Sequence, residues 1–232
     1  MLELNGVDVG GVRLAYRAVG ALDAPPMVLL HGLGSDGSSW DEVAAALGDS
    51  YRVYAPDQRG HGASDRPGRY SFELMRDDVL GFLDALGLGR VTLVGHSMGG
   101  TVALLFAEAY PDRLERLVVE DSPPPFAGGD PIPLRSRPDG PLPFDWPVVE
   151  AIVGQLNDPD PAWWEKTGGI AVPTLMIAGG PDSHVPQDRV VEVAARIPEC
   201  TLTTIAVGHQ VHRDRPAEFI AAVREFLHAD ED

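Results

Sequence analysis

Residues 91–100 read VTLVGHSMGG, and this stretch decides the fold of the 232-residue chain. Its first half is an apolar, β-branched run, which is typical of a strand buried on both faces. Residues 98–110 (MGGTVALLFAEAY) have helical character and end before Pro111. A Gly-x-Ser-x-Gly pattern therefore lies where a buried strand gives way to a helix. This context predicts a sharp turn that projects the hydroxyl of Ser97 into solvent, and the glycines leave room for that turn.

Short apolar runs alternate with helix-length segments along most of the chain, which indicates a sheet covered by helices. The predicted strands are 11–18, 27–31, 52–56, 91–95, 115–120, 173–178 and 200–206. The predicted helices are 39–48, 71–86, 98–110, 148–157, 187–196 and 215–228.

The alternation is interrupted between residues 122 and 169. Nine prolines lie between residues 122 and 147, and they exclude long helices and a central strand from that stretch. The interruption is too short and too rich in proline for an independent core. We therefore predict one α/β core, residues 1–121 and 170–232, with a small irregular cap over residues 122–169.

Composition narrows the range of partners. The formal net charge of −17 argues against nucleic acid and against anionic membrane surfaces. The single cysteine, Cys200, excludes an intrachain disulfide. The N-terminal sequence lacks the pattern of a secretory signal and no apolar stretch approaches a membrane span, so we expect a cytoplasmic protein. Phosphate-loop and zinc-binding motifs are also missing from the sequence, so we expect a small-molecule substrate and neither a cofactor nor a metal.

Four segments, in this order and spacing, resemble the α/β-hydrolase superfamily over almost the whole chain. They are His31-Gly32-Leu33-Gly34, Asp57-Gln58-Arg59-Gly60-His61-Gly62-Ala63-Ser64, the serine turn, and Gly208-His209. The resemblance implies a mostly parallel, eight-stranded sheet with helices on both faces. It also implies an oxyanion hole formed by the backbone N–H groups of Leu33 and Met98, which would stabilise charge on the substrate's carbonyl oxygen.

The base that activates Ser97 is expected to be a histidine, because it must accept and return a proton near neutral pH. The resemblance implies that this base comes last in chain order. Two histidines qualify by position, His209 and His212, which come shortly after the last predicted strand. The glycine directly before His209 matches the family pattern, so we predict His209.

The third member of the triad must be a carboxylate that orients the imidazole and stabilises its charged form. The resemblance places it after the strand at 173–178, where Asp182 follows Gly179-Gly180-Pro181. Asp121, at the end of the preceding strand, is the alternative position. We predict Asp182 and leave Asp121 open.

The resemblance implies a serine hydrolase that cleaves a carboxylic ester, a lactone or a thioester through an acyl-enzyme. An epoxide hydrolase or a dehalogenase of this fold would be expected to have Asp where Ser97 stands. The same triad also serves C–C bond hydrolases, perhydrolases and hydroxynitrile lyases, and fold and triad do not separate them. A receptor that turns its ligand over slowly and an interaction module with a dead site are the remaining alternatives.

The short cap predicts a comparatively open site bordered by aromatic residues, which would favour a small to medium apolar ligand. The alternative is that these residues only attach the cap to the core. The residues are Trp40, Phe126, Phe144, Trp146, Trp163 and Trp164, with His184 at the mouth of the pocket.

Overall fold

Eight strands form a single sheet in the computed structural model of the chain, which describes residues 3–229. The strands are β1 Leu4–Asp8, β2 Arg13–Val19, β3 Pro26–Leu30, β4 Arg52–Pro56, β5 Val91–His96, β6 Leu114–Glu120, β7 Thr174–Ala178 and β8 Cys200–Thr204. The α-helices are α1 Asp41–Leu47, α2 Phe72–Ala85, α3 Met98–Ala109, α4 Trp146–Asn157, α5 Pro161–Glu165, α6 Gln187–Arg196, α7 Val211–Asp214 and α8 Pro216–His228. Short 3-10 helices cover Gly37–Trp40, Pro111–Arg113 and Lys166–Gly169.

The strand order is β1-β2-β4-β3-β5-β6-β7-β8. β1 with β2 and β2 with β4 are antiparallel pairs, and all the other pairs are parallel. The predicted α/β-hydrolase fold, with a mostly parallel eight-stranded sheet, is confirmed. Because parallel strands end at the same edge of a sheet, the loops that follow β3, β5, β6 and β8 meet there.

Both faces of the sheet are covered by helices, and β5 shows how one strand contributes to both cores. Leu93 packs into the core that contains residues of α2 and α3. The next residue, Val94, packs into the core that contains residues of α1 and α8. This alternation follows from the two-residue period of a strand. Among the described helices, none is both long enough and apolar enough to cross a membrane.

The segment after β6 first runs without regular structure and then becomes helical. Residues 127–141 are exposed to solvent throughout. α4 returns to the body of the protein, where Val148 and Ile152 are buried in the core on the α2 and α3 side. Asp160 directly precedes α5, and its side chain caps the helix by accepting a hydrogen bond from the backbone N–H of Ala162.

Candidate active site

Ser97 lies on the turn between β5 and α3, with φ 52° and ψ −120°. This left-handed backbone conformation is strained for a residue other than glycine. The turn packs tightly against its surroundings: a Cβ on Gly95 would lie 2.3 Å from the carbonyl oxygen of Gly99, and a Cβ on Gly99 would lie 2.3 Å from that of Leu30. Only glycine therefore fits at both positions, and the half-buried Ser97 lies at the carboxyl edge of the sheet.

The loop after β3 lies directly beside Ser97, since a Cβ on Gly32 would be 3.3 Å from Ser97 Cβ. Two buried histidines hold this loop. His31 Nδ1 donates to the carbonyl oxygen of Gly32 at 2.8 Å, and His61 Nε2 accepts from the backbone N–H of Gly34 at 3.1 Å. Burial lowers the pKa of His31 to about 4 and that of His61 to about 3. Both rings are therefore neutral near pH 7 and can each donate at one nitrogen while the other accepts.

His209 follows β8 and makes a hydrogen bond through Nδ1 to Asp121 Oδ2 at 2.8 Å. Asp121 is the first residue after β6, is fully buried, and has a positive φ of 46°. The prediction that Asp182 pairs with His209 is therefore wrong, and the alternative Asp121 takes that place. Asp182 is exposed, and its backbone lies under the loop of His209: a Cβ on Gly208 would be 3.4 Å from the carbonyl oxygen of Asp182.

Four donors hold the carboxylate of Asp121. Oδ1 accepts from the backbone N–H of Gly179 and from Gln187 Nε2, each at 2.9 Å. Oδ2 accepts from Ser183 Oγ as well as from His209. Burial raises the pKa of Asp121, but these hydrogen bonds outweigh it and hold the pKa below its usual value. The loop in which the acid was expected thus supplies two side chains that hold the acid on the neighbouring strand.

Sequence reasoning missed Ser183 and Gln187, because neither belongs to a recognisable motif and each acts only through Asp121. Within residues 3–229 no hydrogen bond connects Ser97 Oγ with His209. Contacts of this kind commonly tighten only when a substrate is bound. His96, the residue before Ser97, lies with its ring centroid 4.6 Å from that of His209, so the serine turn and the histidine loop are neighbours.

Two of the predicted pocket residues belong to the protein core instead. Trp40 is fully buried and stacks on His212 with ring centroids 3.9 Å apart, in the core on the α1 and α8 side. Trp163 is also buried and meets Phe72 of α2 edge to face at 5.8 Å. The prediction that these two tryptophans border a pocket is wrong, because both satisfy their apolar surface by packing.

Phe126 and Trp164 pack against each other, with ring centroids 5.8 Å apart. The guanidinium carbon of Arg189, on α6, lies 4.7 Å from the Phe126 centroid and 5.7 Å from the Trp164 centroid. Such cation–π contacts attach Phe126 and Trp164 to α6. The packing of this pair therefore agrees with the alternative reading, in which aromatic residues join the cap to the core.

Phe144 and His184 are the predicted pocket residues that lie beside the site. The ring of Phe144 is 3.4 Å from where a Cβ on Gly34 would stand, and Trp146 follows at a centroid distance of 6.5 Å from Phe144. The His184 ring meets that of His209 edge to face at 4.3 Å. Burial lowers the pKa of His184, and the nearby His209 lowers it further.

One group of side chains in the described part of the chain is compact enough to suggest a metal site. The possible ligand atoms of His96, Glu120 and His212 all lie within 4.8 Å of one another. Both histidines already have hydrogen-bond partners: His212 Nδ1 is 2.7 Å from Glu120 Oε2, and His96 Nε2 is 2.8 Å from the carbonyl oxygen of His209. These ring nitrogens and this carboxylate are therefore engaged in hydrogen bonds within the protein.

Comparison with known proteins identifies the family. Residues 25–145 match the family described as alpha/beta hydrolase fold. The mouse protein named sn-1-specific diacylglycerol lipase ABHD11 is 30% identical over 271 residues, covering 96% of this chain and 88% of the mouse protein. A thermophilic esterase from Thermogutta terrifontis is 26% identical with a TM-score of 0.79, covering 98% of both chains. The enol-lactonase from Burkholderia xenovorans LB400 has the same fold, with a TM-score of 0.83 at 24% identity, covering 96% of this chain and 99% of its own.

A serine on a strained strand-to-helix turn and an acid–histidine pair at the same sheet edge are features that this family shares. The chain belongs to the α/β-hydrolase family.

Proposed function

We propose that the chain is a serine hydrolase that cleaves carboxylic esters, with Ser97 as nucleophile, His209 as base and Asp121 as the orienting acid. The observation that carries this proposal is the 2.8 Å hydrogen bond from His209 Nδ1 to the buried Asp121. That bond places the proton on Nδ1 and leaves a lone pair on Nε2, as a base requires. Relatives named as a lipase and as an esterase support the same reaction class.

Acylation begins when His209 Nε2 accepts the proton of Ser97 Oγ while Oγ bonds to the carbonyl carbon of the ester. The electron pair of the carbonyl double bond moves to its oxygen, which becomes an oxyanion. We assign the stabilisation of that oxyanion to the backbone N–H groups of Leu33 and Met98, on the two segments that flank Ser97. Removing one such donor typically costs about 10²–10³ in rate.

The tetrahedral intermediate then collapses, and the bond from carbon to the leaving oxygen breaks. His209 gives its proton to that oxygen, so the alcohol departs and the acyl-enzyme remains. Water enters next, loses a proton to His209 and attacks the acyl carbon. The second intermediate releases the acid and returns the proton to Ser97, while Asp121 stabilises the imidazolium in both halves of the reaction.

We assign small to medium apolar esters, lactones or thioesters as the substrate class. Phe144 lies against Gly34 of the oxyanion loop and supplies an apolar wall beside the reacting carbon. The exposure of residues 127–141 supports an open site rather than a deep, closed one. The ring of His184 lies 4.3 Å from that of His209, and we assign His184 to the mouth of the site.

The test is turnover of p-nitrophenyl esters from acetate to octanoate by the wild type, Ser97→Ala and Ser50→Ala. Ser50 is an exposed serine after α1 and serves as the matched control. We expect Ser97→Ala to lower kcat by about 10⁶, as triad serines do, and Ser50→Ala to behave as the wild type. The profile of rate against acyl length then measures the size of the acyl pocket.

Two outcomes would contradict the proposal. Activity that survives in Ser97→Ala would remove Ser97 as the nucleophile. A wild type that hydrolyses none of the esters, although a fluorophosphonate still labels Ser97, would refute the ester reaction. The C–C hydrolase, perhydrolase, lyase and slow-turnover receptor functions would then be tested in its place.

A further inference from the structure

A second set of three ionisable side chains lies behind the candidate triad. His96 directly precedes Ser97, Glu120 directly precedes Asp121, and His212 comes three residues after His209. All three are buried, with exposed fractions of 7%, 0% and 2% for His96, Glu120 and His212. The reaction described above uses none of them, although a buried carboxylate is costly unless it is well paired.

Hydrogen bonds connect this set to each part of the candidate site. Glu120 accepts through its carboxylate from the backbone N–H of His212 at 3.0 Å and from His212 Nδ1 at 2.7 Å. The carbonyl oxygen of the same residue accepts from the backbone N–H of Ser97 at 3.2 Å. His96 Nε2 donates to the carbonyl oxygen of His209 at 2.8 Å. The loop that carries His209 is therefore attached at two points, once at His209 itself and once at His212.

The protonation states fit these roles. Burial lowers the pKa of His96 to about 4, so the ring is neutral and its single proton lies on Nε2, facing the carbonyl acceptor. Burial alone would raise the pKa of Glu120, but His96, His212 and the hydrogen bonds from His212 hold it below its usual value. Glu120 is thus a carboxylate that accepts both bonds from His212. Trp40 stacks on the His212 ring, with ring centroids 3.9 Å apart.

We propose that His96, Glu120 and His212 form a support that positions His209 for its second task, the donation of a proton to the leaving alcohol. These are positioning residues, since they act through His209 and do not touch the substrate. The proposal rests on the proposed ester hydrolysis and predicts how the effect of a displaced His209 depends on the leaving group. A displaced His209 harms esters whose leaving group needs a proton more than esters whose leaving group departs as a stable anion.

The test compares Glu120→Gln with the wild type on ethyl butyrate and p-nitrophenyl butyrate. Glutamine keeps the size of the side chain but replaces one acceptor oxygen with a donor, which then meets the Nδ1–H of His212. We expect kcat/KM for the ethyl ester to fall by about 10², as for a small displacement of a catalytic group. The loss for the p-nitrophenyl ester is expected to be smaller, no more than about 10-fold, because p-nitrophenolate leaves without general-acid help.

Glu108→Gln is the matched control, because it makes the same substitution at another carboxyl group, which is half-buried. Glu108 lies on α3, eleven residues after Ser97 and so roughly 16 Å away along the helix. Burial raises its pKa to about 8, so the side chain is mostly uncharged near neutral pH and glutamine resembles it. We expect both kcat/KM values of Glu108→Gln to equal those of the wild type.

The ratio of the two kcat/KM values decides the outcome, because a smaller folded fraction lowers both values equally. An unchanged ratio in folded Glu120→Gln, or the same change in Glu108→Gln, would overturn the support role. If Glu120→Gln does not fold, His96→Phe decides by the same ratio, since it keeps a flat ring and removes the donor to the His209 carbonyl. Failure of the proposed function would look different: the wild type would hydrolyse neither ester, or Ser97→Ala would remain active.

Discussion

Replacing Asp121 with asparagine tests the geometry of the site most directly. Oδ1 of Asp121 accepts from Gly179 and Gln187, so the oxygen of the new amide will take that position. The amide nitrogen must then stand where Oδ2 stood, facing His209 Nδ1 and Ser183 Oγ. An N–H group that faces Nδ1 forces that nitrogen to accept. The proton of the imidazole then moves to Nε2, and His209 cannot take a proton from Ser97.

The size of the effect follows from this change of tautomer. The equivalent substitution in a serine triad lowers kcat by about 10⁴, which corresponds to about 5.4 kcal/mol in the activation free energy. We expect the same loss for Asp121→Asn, with KM changed little, because Asp121 is buried behind His209. Substituting the exposed Asp182 with asparagine removes no hydrogen bond to His209. Its effect should stay within about twofold, as for most surface substitutions.

The assay is steady-state hydrolysis of p-nitrophenyl butyrate by the wild type, Asp121→Asn and Asp182→Asn, with melting temperatures to verify folding. A folded Asp121→Asn that keeps more than a tenth of the wild-type kcat would refute the reasoning. A large loss of kcat in Asp182→Asn would also refute it, because the loop after β7 would then supply the acid in solution.

Two further predictions concern the neighbours of this pair and the buried histidines. Ser183→Ala removes one of the hydrogen-bond donors to Asp121. Because a hydrogen bond to a charged group is worth about 1.5–3 kcal/mol, we expect kcat to fall by about 10- to 10²-fold with KM unchanged. A variant with the wild-type kcat would show that this donor is dispensable. His31, His61 and His96 have pKa values of about 4, 3 and 4 in the folded protein, so between pH 6.5 and 4 the unfolded chain takes up protons that the folded chain refuses. The free energy of unfolding should therefore fall as the pH drops through this window, by up to about 1.4 kcal/mol per pH unit for each histidine, and these three groups contribute no change above it. Urea unfolding at pH 7 and pH 5 measures this, and equal stabilities would contradict the neutral state of these rings.

The serine turn and His209 could be found from the sequence because each belongs to a short motif. Glycine is required at 95 by the nearby backbone of Gly99 and Gly100, and at 99 by the backbone of Leu30 and His31, against which the serine turn packs. His209 follows directly after a glycine that itself has a positive φ of 95°. Such requirements leave a pattern in the sequence that can be recognised without the fold.

The acid could not be chosen in this way. β6 and β7 are neighbouring parallel strands, so a carboxylate after either one arrives at the same edge of the sheet. What separates Asp121 from Asp182 is the direction of the backbone, positive φ at Asp121, and donors from residues 179–187 that are remote in sequence. A weak signal did exist: Asp121 follows its strand directly, whereas Asp182 comes four residues after the end of β7.

The aromatic residues and β1 were difficult for another reason. Trp40 directly precedes α1, and its residue type alone does not show in which direction its side chain points. It packs on His212, which is 172 positions away in the chain. β1 was not predicted as a strand, since its residues alternate between exposed and half-buried and include no long apolar run. Its pairing with β2 along one edge of the sheet defines it as a strand.

Ser97 and Asp121 share a feature with a wider consequence: within residues 3–229 they are the two residues other than glycine that have a positive φ. Glycine would adopt either conformation without strain. The chain therefore carries backbone strain at the two places where the proposed chemistry needs a side chain. A search for stabilising substitutions that ignored activity would be drawn to glycine at these positions. The folded state would become more stable, but the nucleophile or the acid would be lost. An experiment that selects for heat resistance alone would therefore select against catalytic activity.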